Sequence, residues 1–242
     1  MVPARRPAEL PSAPIPTTPT PTRGLPHHAS VCCSFLSMEP SNDRIIRLER
    51  GQTALLLVDL QEGTCGTAQP QSRPEFDRLF RCCTLPAASR ALGLARGASL
   101  EVIHTVIANL TADGRDRSLD YKRCGMGFPP GSPGSQVLRA LTPIGDELVL
   151  PKSSSSPFSS TSLDYLLRNI GIEVLVVIGL LTDQCIDHTV KDAADRGYRV
   201  ICLTDACMAE TMERHQQAMA CFQGYASLVS VDDFSKMLHS VI

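Results

Sequence analysis

The chain has 242 residues, 43% of them apolar, and a formal net charge of −2. That size and balance fit one ordinary soluble domain carrying an appendage. They give no electrostatic case for nucleic acid or an acidic membrane surface, and no apolar run approaches the roughly 18 residues that a membrane span needs.

Residues 1–42 are read as a proline-rich disordered tail, because they hold nine of the chain's 18 prolines and too little apolar content to bury a core. Arg5, Arg6 and Arg23 face a single acid, Glu9, before Glu39. An organelle-targeting segment is therefore the alternative to a plain tail, and Met38 is an alternative start. The ten cysteines form no CxxC pair, and they read as reduced thiols of an intracellular, cytoplasmic protein.

The domain is expected over residues 43–242. TALLLVDLQ, from Thr53, is a buried strand reaching Asp59, and an uneven helical stretch from about Pro74 to Arg96 is divided or kinked at Pro86. SLEVIHTVI, at 99–107, is a second strand, followed by a long polar loop and a short helix around Gln136–Leu141. A loop that long inside a compact domain is usually functional or mobile. DELVLPK, at 146–152, is a third strand, and a helix near Ser162–Asn169 closes on Gly171.

The apolar run Val174–Leu181 is a strand buried on both faces. A helix follows it with Cys185 in the first turn, Ile186, Val190, Ala193 and Ala194 on one face, and Gly197 at the close. YRVICLTDAC, a helix over about Arg214–Gln223, the strand ASLVSV and a helix over Asp232–Ser240 complete the chain. Strands alternating with helices imply right-handed crossovers, hence a three-layer α/β/α, Rossmann-like domain around a six-stranded parallel sheet.

In such sheets ligands sit beyond the carboxyl ends of the strands. Asp59 ends the first strand, Lys152 the third, and Cys185 follows the fourth, so an acid, an amine and a thiol can meet at one rim. A helix start favours thiolate over thiol and offers N–H groups to an oxyanion. The plain alternatives are a loop cap for Asp59, a solvated Lys152, a small buried Cys185, and Asp183 capping those N–H groups itself.

LLLVDLQ, LPKSSSSPFSSTSLDYLLRNIGI and, above all, GLLTDQC within VLVVIGLLTDQCIDHTVKDAADRGYRVICLTDAC resemble the isochorismatase-like cysteine hydrolases. The resemblance runs from about Gln52 to the C-terminus. It implies a catalytic triad of Asp59, Lys152 and Cys185, with backbone N–H groups of Leu181 and Cys185 as the oxyanion hole. It also implies a cis peptide at Leu180–Leu181 and an assembly of dimers or tetramers. The nicotinamidases among these hydrolases place an Asp and closely spaced histidines after the second strand. Here His104 stands without a second histidine, so no metal and no cofactor is expected. His104 and His188 are read as structural.

The branch most alike hydrolyses small urea-type and carbamoyl amides such as biuret, triuret, ureidoacrylate or N-carbamoyl amino acids. The expected partner is thus a small-molecule amide, cleaved through a thioester to release ammonia or an amine. Gln61, Tyr121, Arg123, Phe158 and Gln223 are the candidate substrate contacts, with Gln61 first because it shares the Asp59 strand end. Rival readings are a non-catalytic binding protein on the same fold, a nicotinamidase-type amidase, and a redox sensor built on Cys185. GMGFPPG follows no strand and is no dinucleotide fingerprint.

Overall fold

A computed structural model describes residues 46–67 and 73–239. The expectations for residues 1–42 lie outside the described residues.

Six strands form one sheet: β1 (Thr53–Val58), β2 (Glu101–Ile107), β3 (Leu148–Lys152), β4 (Val174–Leu180), β5 (Arg199–Met208) and β6 (Ala226–Val229). Their order is β3-β2-β1-β4-β5-β6, and every pairing is parallel. The chain steps outward from β1 through β2 to β3, returns to lay β4 on the other side of β1, and steps outward again. The switch point therefore falls between β1 and β4, where a doubly wound sheet opens its binding crevice.

The helices are α1 (Glu62–Cys65), α2 (Pro74–Leu79), α3 (Leu85–Gly97), α4 (Leu119–Cys124), α5 (Pro157–Ser160), α6 (Leu163–Ile170), α7 (Asp187–Asp195), α8 (Met212–Cys221) and α9 (Val231–His239). Alternation along β1 divides the core in two. Leu55 and Leu57 pack with Ala91, Leu92 and Ala95 of α3 and with Phe234 of α9. Ala54, Leu56 and Val58 face Leu163 and Leu167 of α6, Val190 and Ala193 of α7, and Met219 of α8. Both faces of the central strands are covered, which is why those strands are continuous apolar runs.

Pro86 does not break its helix. A single π-helical turn, Phe80–Thr84, joins α2 to α3, and the Leu85 N–H donates to the Phe80 carbonyl. The wider turn absorbs a proline that supplies no N–H and crowds the carbonyl four residues back. The region expected as an open loop after β2 contains α4, capped by the Ser118 hydroxyl accepting from the Tyr121 N–H at 3.1 Å and ended by Gly125 in the left-handed region. The short helix expected at 136–141 is a 3₁₀ turn, Arg139–Leu141.

Gly179 near the end of β4 has φ +131°, and a Cβ there would come within 2.0 Å of the Val58 carbonyl oxygen. Only glycine lets β4 run this close to β1 just before the turn that carries Cys185. Among the described residues no helix is long and apolar enough to cross a membrane.

Candidate active site

Asp59 is the first residue past β1. Its backbone leaves the extended region for φ +59°, while its N–H still donates to the Thr105 carbonyl of β2 at 3.0 Å. The Thr64 hydroxyl donates to the Asp59 carbonyl at 2.6 Å and ties the turn to α1. Lys152 ends β3, two strands away, and its side chain is fully buried. Its Nζ lies 2.9 Å from Asp59 Oδ2 and 3.4 Å from Cys185 Sγ. It also donates to the Ser154 carbonyl at 2.9 Å and to the Tyr121 hydroxyl at 3.2 Å. Lys152 and Asp59 form a buried ion pair at 2.9 Å.

Cys185 is carried by a second π-helical turn, Thr182–Ile186, inserted between β4 and α7. The Leu180–Leu181 peptide before it is cis. The Leu181 carbonyl accepts from the N–H groups of Gln184 and Ile186 at 3.0 and 3.2 Å, and the Thr189 hydroxyl donates to the Cys185 carbonyl at 2.6 Å. From α8, His215 Nδ1 lies 2.8 Å from Thr182 Oγ1, and Arg214 pairs with Asp183 at 2.5 Å. Asp183 therefore does not cap the turn, which has no side-chain cap at all. The Tyr121 hydroxyl, delivered by α4, is 3.5 Å from Cys185 Sγ.

These groups share one buried cluster, and burial governs their charges. Burial lifts Asp59 above the ordinary carboxylate value, against the pull of the Lys152 ammonium. Burial also opposes the Lys152 charge, but Asp59 and the sulfur outweigh it, so Lys152 is held cationic well above its usual range. Burial first, and the Asp59 carboxylate second, push the Cys185 thiol up to about 11, with Lys152 opposing. Against the expectation of a thiolate favoured by a helix start, the surroundings of Cys185 favour the thiol. The Tyr121 phenol is raised too, chiefly by burial, and stays protonated.

A cavity of about 290 Å³ opens over the cluster, with Asp59 and Cys185 at its base and Ile107, Met126, Leu180 and Leu181 along its walls. The structure thus brings together Asp59, Lys152, Cys185 and Tyr121, and places Leu181 beside them. Four other candidates lie elsewhere. Gln61 is fully buried, and its amide is committed to backbone: Nε2 donates to the Ile107 and Gly134 carbonyls at 3.0 and 2.7 Å, and Oε1 accepts from the Ile107 N–H at 2.6 Å. Arg123 is exposed on α4. Phe158 packs on the Tyr198 ring at 5.9 Å with the Arg196 guanidinium 4.9 Å away. Gln223 lies beside Tyr198 and Arg199 at the opposite rim of the sheet.

The histidines keep structural places. His104 Nε2, buried in β2, lies 3.4 Å from Glu147 Oε2, and the exposed His188 is 2.9 Å from the Gln184 carbonyl. Gly63, Thr64 and Arg73 also line the cavity and belong to no motif in the sequence, while Met126 comes from the long stretch after β2. Arg73 immediately precedes α2, whose position brings it to the rim.

The chain resembles known proteins over most of its described length. A family model described as the isochorismatase domain matches residues 53–233. A ureidoacrylate amidohydrolase of Pseudomonas syringae pv. syringae (strain B728a) is 29% identical over 215 residues, covering 81% of this chain and 87% of that protein. A streptothricin hydrolase of Streptomyces noursei is 32% identical over 153 residues, covering 63% of this chain and 53% of that protein. The crystal structure of N-carbamoylsarcosine amidase from Thermoplasma acidophilum matches with a TM-score of 0.62 at 28% identity, over 75% of this chain and 97% of that one. A cysteine hydrolase from Pseudomonas syringae pv. phaseolicola 1448A shares the fold, with a TM-score of 0.71 at 21% identity over 81% of this chain and 97% of that one.

Proposed function

The chain belongs to the isochorismatase family, and from that premise we propose that this hydrolase of non-peptide C–N bonds cleaves a small urea-type or carbamoyl amide through a thioester on Cys185. The observation that carries the reading is the position of Lys152 Nζ, 2.9 Å from the Asp59 carboxylate and 3.4 Å from the Cys185 sulfur at the base of one small cavity. A binding pocket has no need of a fully buried acid, amine and thiol in mutual contact, because each charge removed from water costs several kcal/mol, by about that order, unless it is paired.

The steps follow from the protonation states. Asp59, as the anion, takes the thiol proton while the sulfur attacks the amide carbonyl. Lys152 and the Tyr121 hydroxyl hold the charge that develops on sulfur. Backbone N–H groups of Leu181 and Cys185 receive the carbonyl oxygen as it becomes an oxyanion. The C–N bond breaks as protonated Asp59 returns its proton to the departing nitrogen, leaving ammonia or an amine and a thioester. Water, deprotonated by Asp59, then attacks the thioester, and the sulfur leaves and recovers its proton. No net proton is left on the enzyme at the end of the cycle.

Ammonia release from biuret, triuret, ureidoacrylate, an N-carbamoyl amino acid and nicotinamide, each with and without a chelator, tests the reading. Release that disappears in Cys185→Ala and persists with the chelator is expected. Turnover that survives Cys185→Ala would sink the thioester mechanism.

A further inference from the structure

Arg73 is the one cationic side chain among the described residues that line the cavity over Cys185. Its side chain is only 25% exposed, and three contacts fix the plane of its guanidinium. Nη1 donates to Glu210 Oε2 at 3.0 Å, Nη2 donates to the Thr64 carbonyl, and the Phe76 ring lies 4.2 Å from Cζ. A guanidinium carries five N–H donors in a rigid fork that matches a carboxylate, and two of Arg73's atoms account for the bonds above. Glu210 comes from the β5–α8 connection, with its side chain 31% exposed and, among the described residues, paired with Arg73 alone.

Resting on the amidohydrolase reading above, we propose that Arg73 recognises a carboxylate on the substrate, so that the amide is a ureido acid, and that Glu210 holds this place when the site is empty. The carbamoyl group lies over Cys185, and the acid at the far end takes the Arg73 fork while Glu210 turns to water. This arrangement avoids adding a third charge: one carboxylate replaces another at the same cation. It also gives the two partners of one ion pair opposite effects, which a merely structural pair would not have.

The test compares kcat/KM for N-carbamoylglycine, a ureido acid, with kcat/KM for biuret, which offers the same carbamoyl group and no carboxylate. Arg73→Met should lower the acid-to-biuret ratio on the order of 10- to 100-fold, the range for losing a charged hydrogen bond. Arg73→Lys, which keeps charge but loses the fork, should give an intermediate ratio. Glu210→Gln, which removes the competing anion, should raise the ratio about 3- to 10-fold, mainly through KM. A folding defect lowers turnover of both substrates alike and leaves the ratio where it was, and a melting curve for each variant identifies it. A ratio unmoved by both Arg73 variants, or lowered by Glu210→Gln as well, overturns the inference. Wild-type protein that turns over biuret and not the acid also overturns it while leaving the amidohydrolase reading intact; protein that releases ammonia from no amide of the panel removes that reading as well.

Discussion

If Asp59 is the base that takes the Cys185 proton, replacing it should make the sulfur easier to ionise and the protein worse at its work. In Asp59→Asn the charge that helps push the thiol up to about 11 is removed, while Lys152, which pulls the other way, remains. The two contacts of Lys152 Nζ, 2.9 Å to Oδ2 and 3.4 Å to sulfur, place the carboxylate oxygen no farther than about 6.3 Å from sulfur. At that limit and an effective dielectric of about 20, the charge interaction is about 2.6 kcal/mol, or about two pH units. The thiol of Asp59→Asn should therefore ionise near pH 9 or below, by about that margin, whereas turnover should fall on the order of 10²- to 10⁴-fold. Lys152→Met gives the opposite shift, upward. The assay is the pH dependence of iodoacetamide alkylation at Cys185, read by peptide mass spectrometry so that the exposed Cys82, Cys83, Cys124 and Cys221 do not contribute. Melting curves confirm that each variant is folded. A Cys185 midpoint that stays near 11 in Asp59→Asn, or turnover that survives, would refute the assignment of Asp59 as base.

Tyr121→Phe removes the hydroxyl 3.5 Å from sulfur and 3.2 Å from Lys152 Nζ, and should lower kcat by about 10-fold with little change in KM, measured by steady-state ammonia release. Gly179→Ala places a methyl group against the Val58 carbonyl at φ +131°, and should cost about 2–5 kcal/mol in a chemical denaturation curve. Glu147 binds Arg96 through two 2.8 Å contacts and accepts from the Ile144 N–H at 3.0 Å, and these bonds hold its carboxyl below the usual value despite burial. Its folded value being depressed, its contribution is present above the unfolded value and is lost as pH falls through the folded one. Glu147→Gln should thus melt lower than wild type at neutral pH, with the gap closing as pH falls below 4.5; a gap independent of pH would contradict this.

The sheet was legible because its central strands are buried on both faces, so β1 and β4 stand out as uninterrupted apolar runs whose last residues can be named. That named Asp59, Lys152 and Cys185 together. Gln61 was chosen for sharing the Asp59 strand end; at φ +59° the chain has already left the pleat there, and the Gln61 amide turns back to the Ile107 backbone. Arg123 follows Tyr121 by two positions, which on a helix is the far side, so only Tyr121 can face the sulfur. Gln223 was open to correction from topology alone, since a residue between a helix and the next strand of a parallel sheet lies at the rim opposite the carboxyl ends.

The charge state of Cys185 is the point where local rules fail. A helix start is worth about 0.3–1 kcal/mol to an anion, whereas burial and the Asp59 carboxylate push the thiol the other way, from its ordinary 9.0 up to about 11. Burial and the neighbouring carboxylate therefore outweigh the helix start, and neither can be read from the spacing around GLLTDQC. On the proposed mechanism the nucleophile stays protonated until a carbonyl is beside it, which limits unproductive alkylation or oxidation of a resting thiolate. That mechanism calls for a base within the cluster, because the surroundings of this sulfur favour the thiol. On that proposal Asp59 is required by the very shift it helps to cause, and Lys152 allows the two to coexist by balancing one negative charge wherever the proton sits.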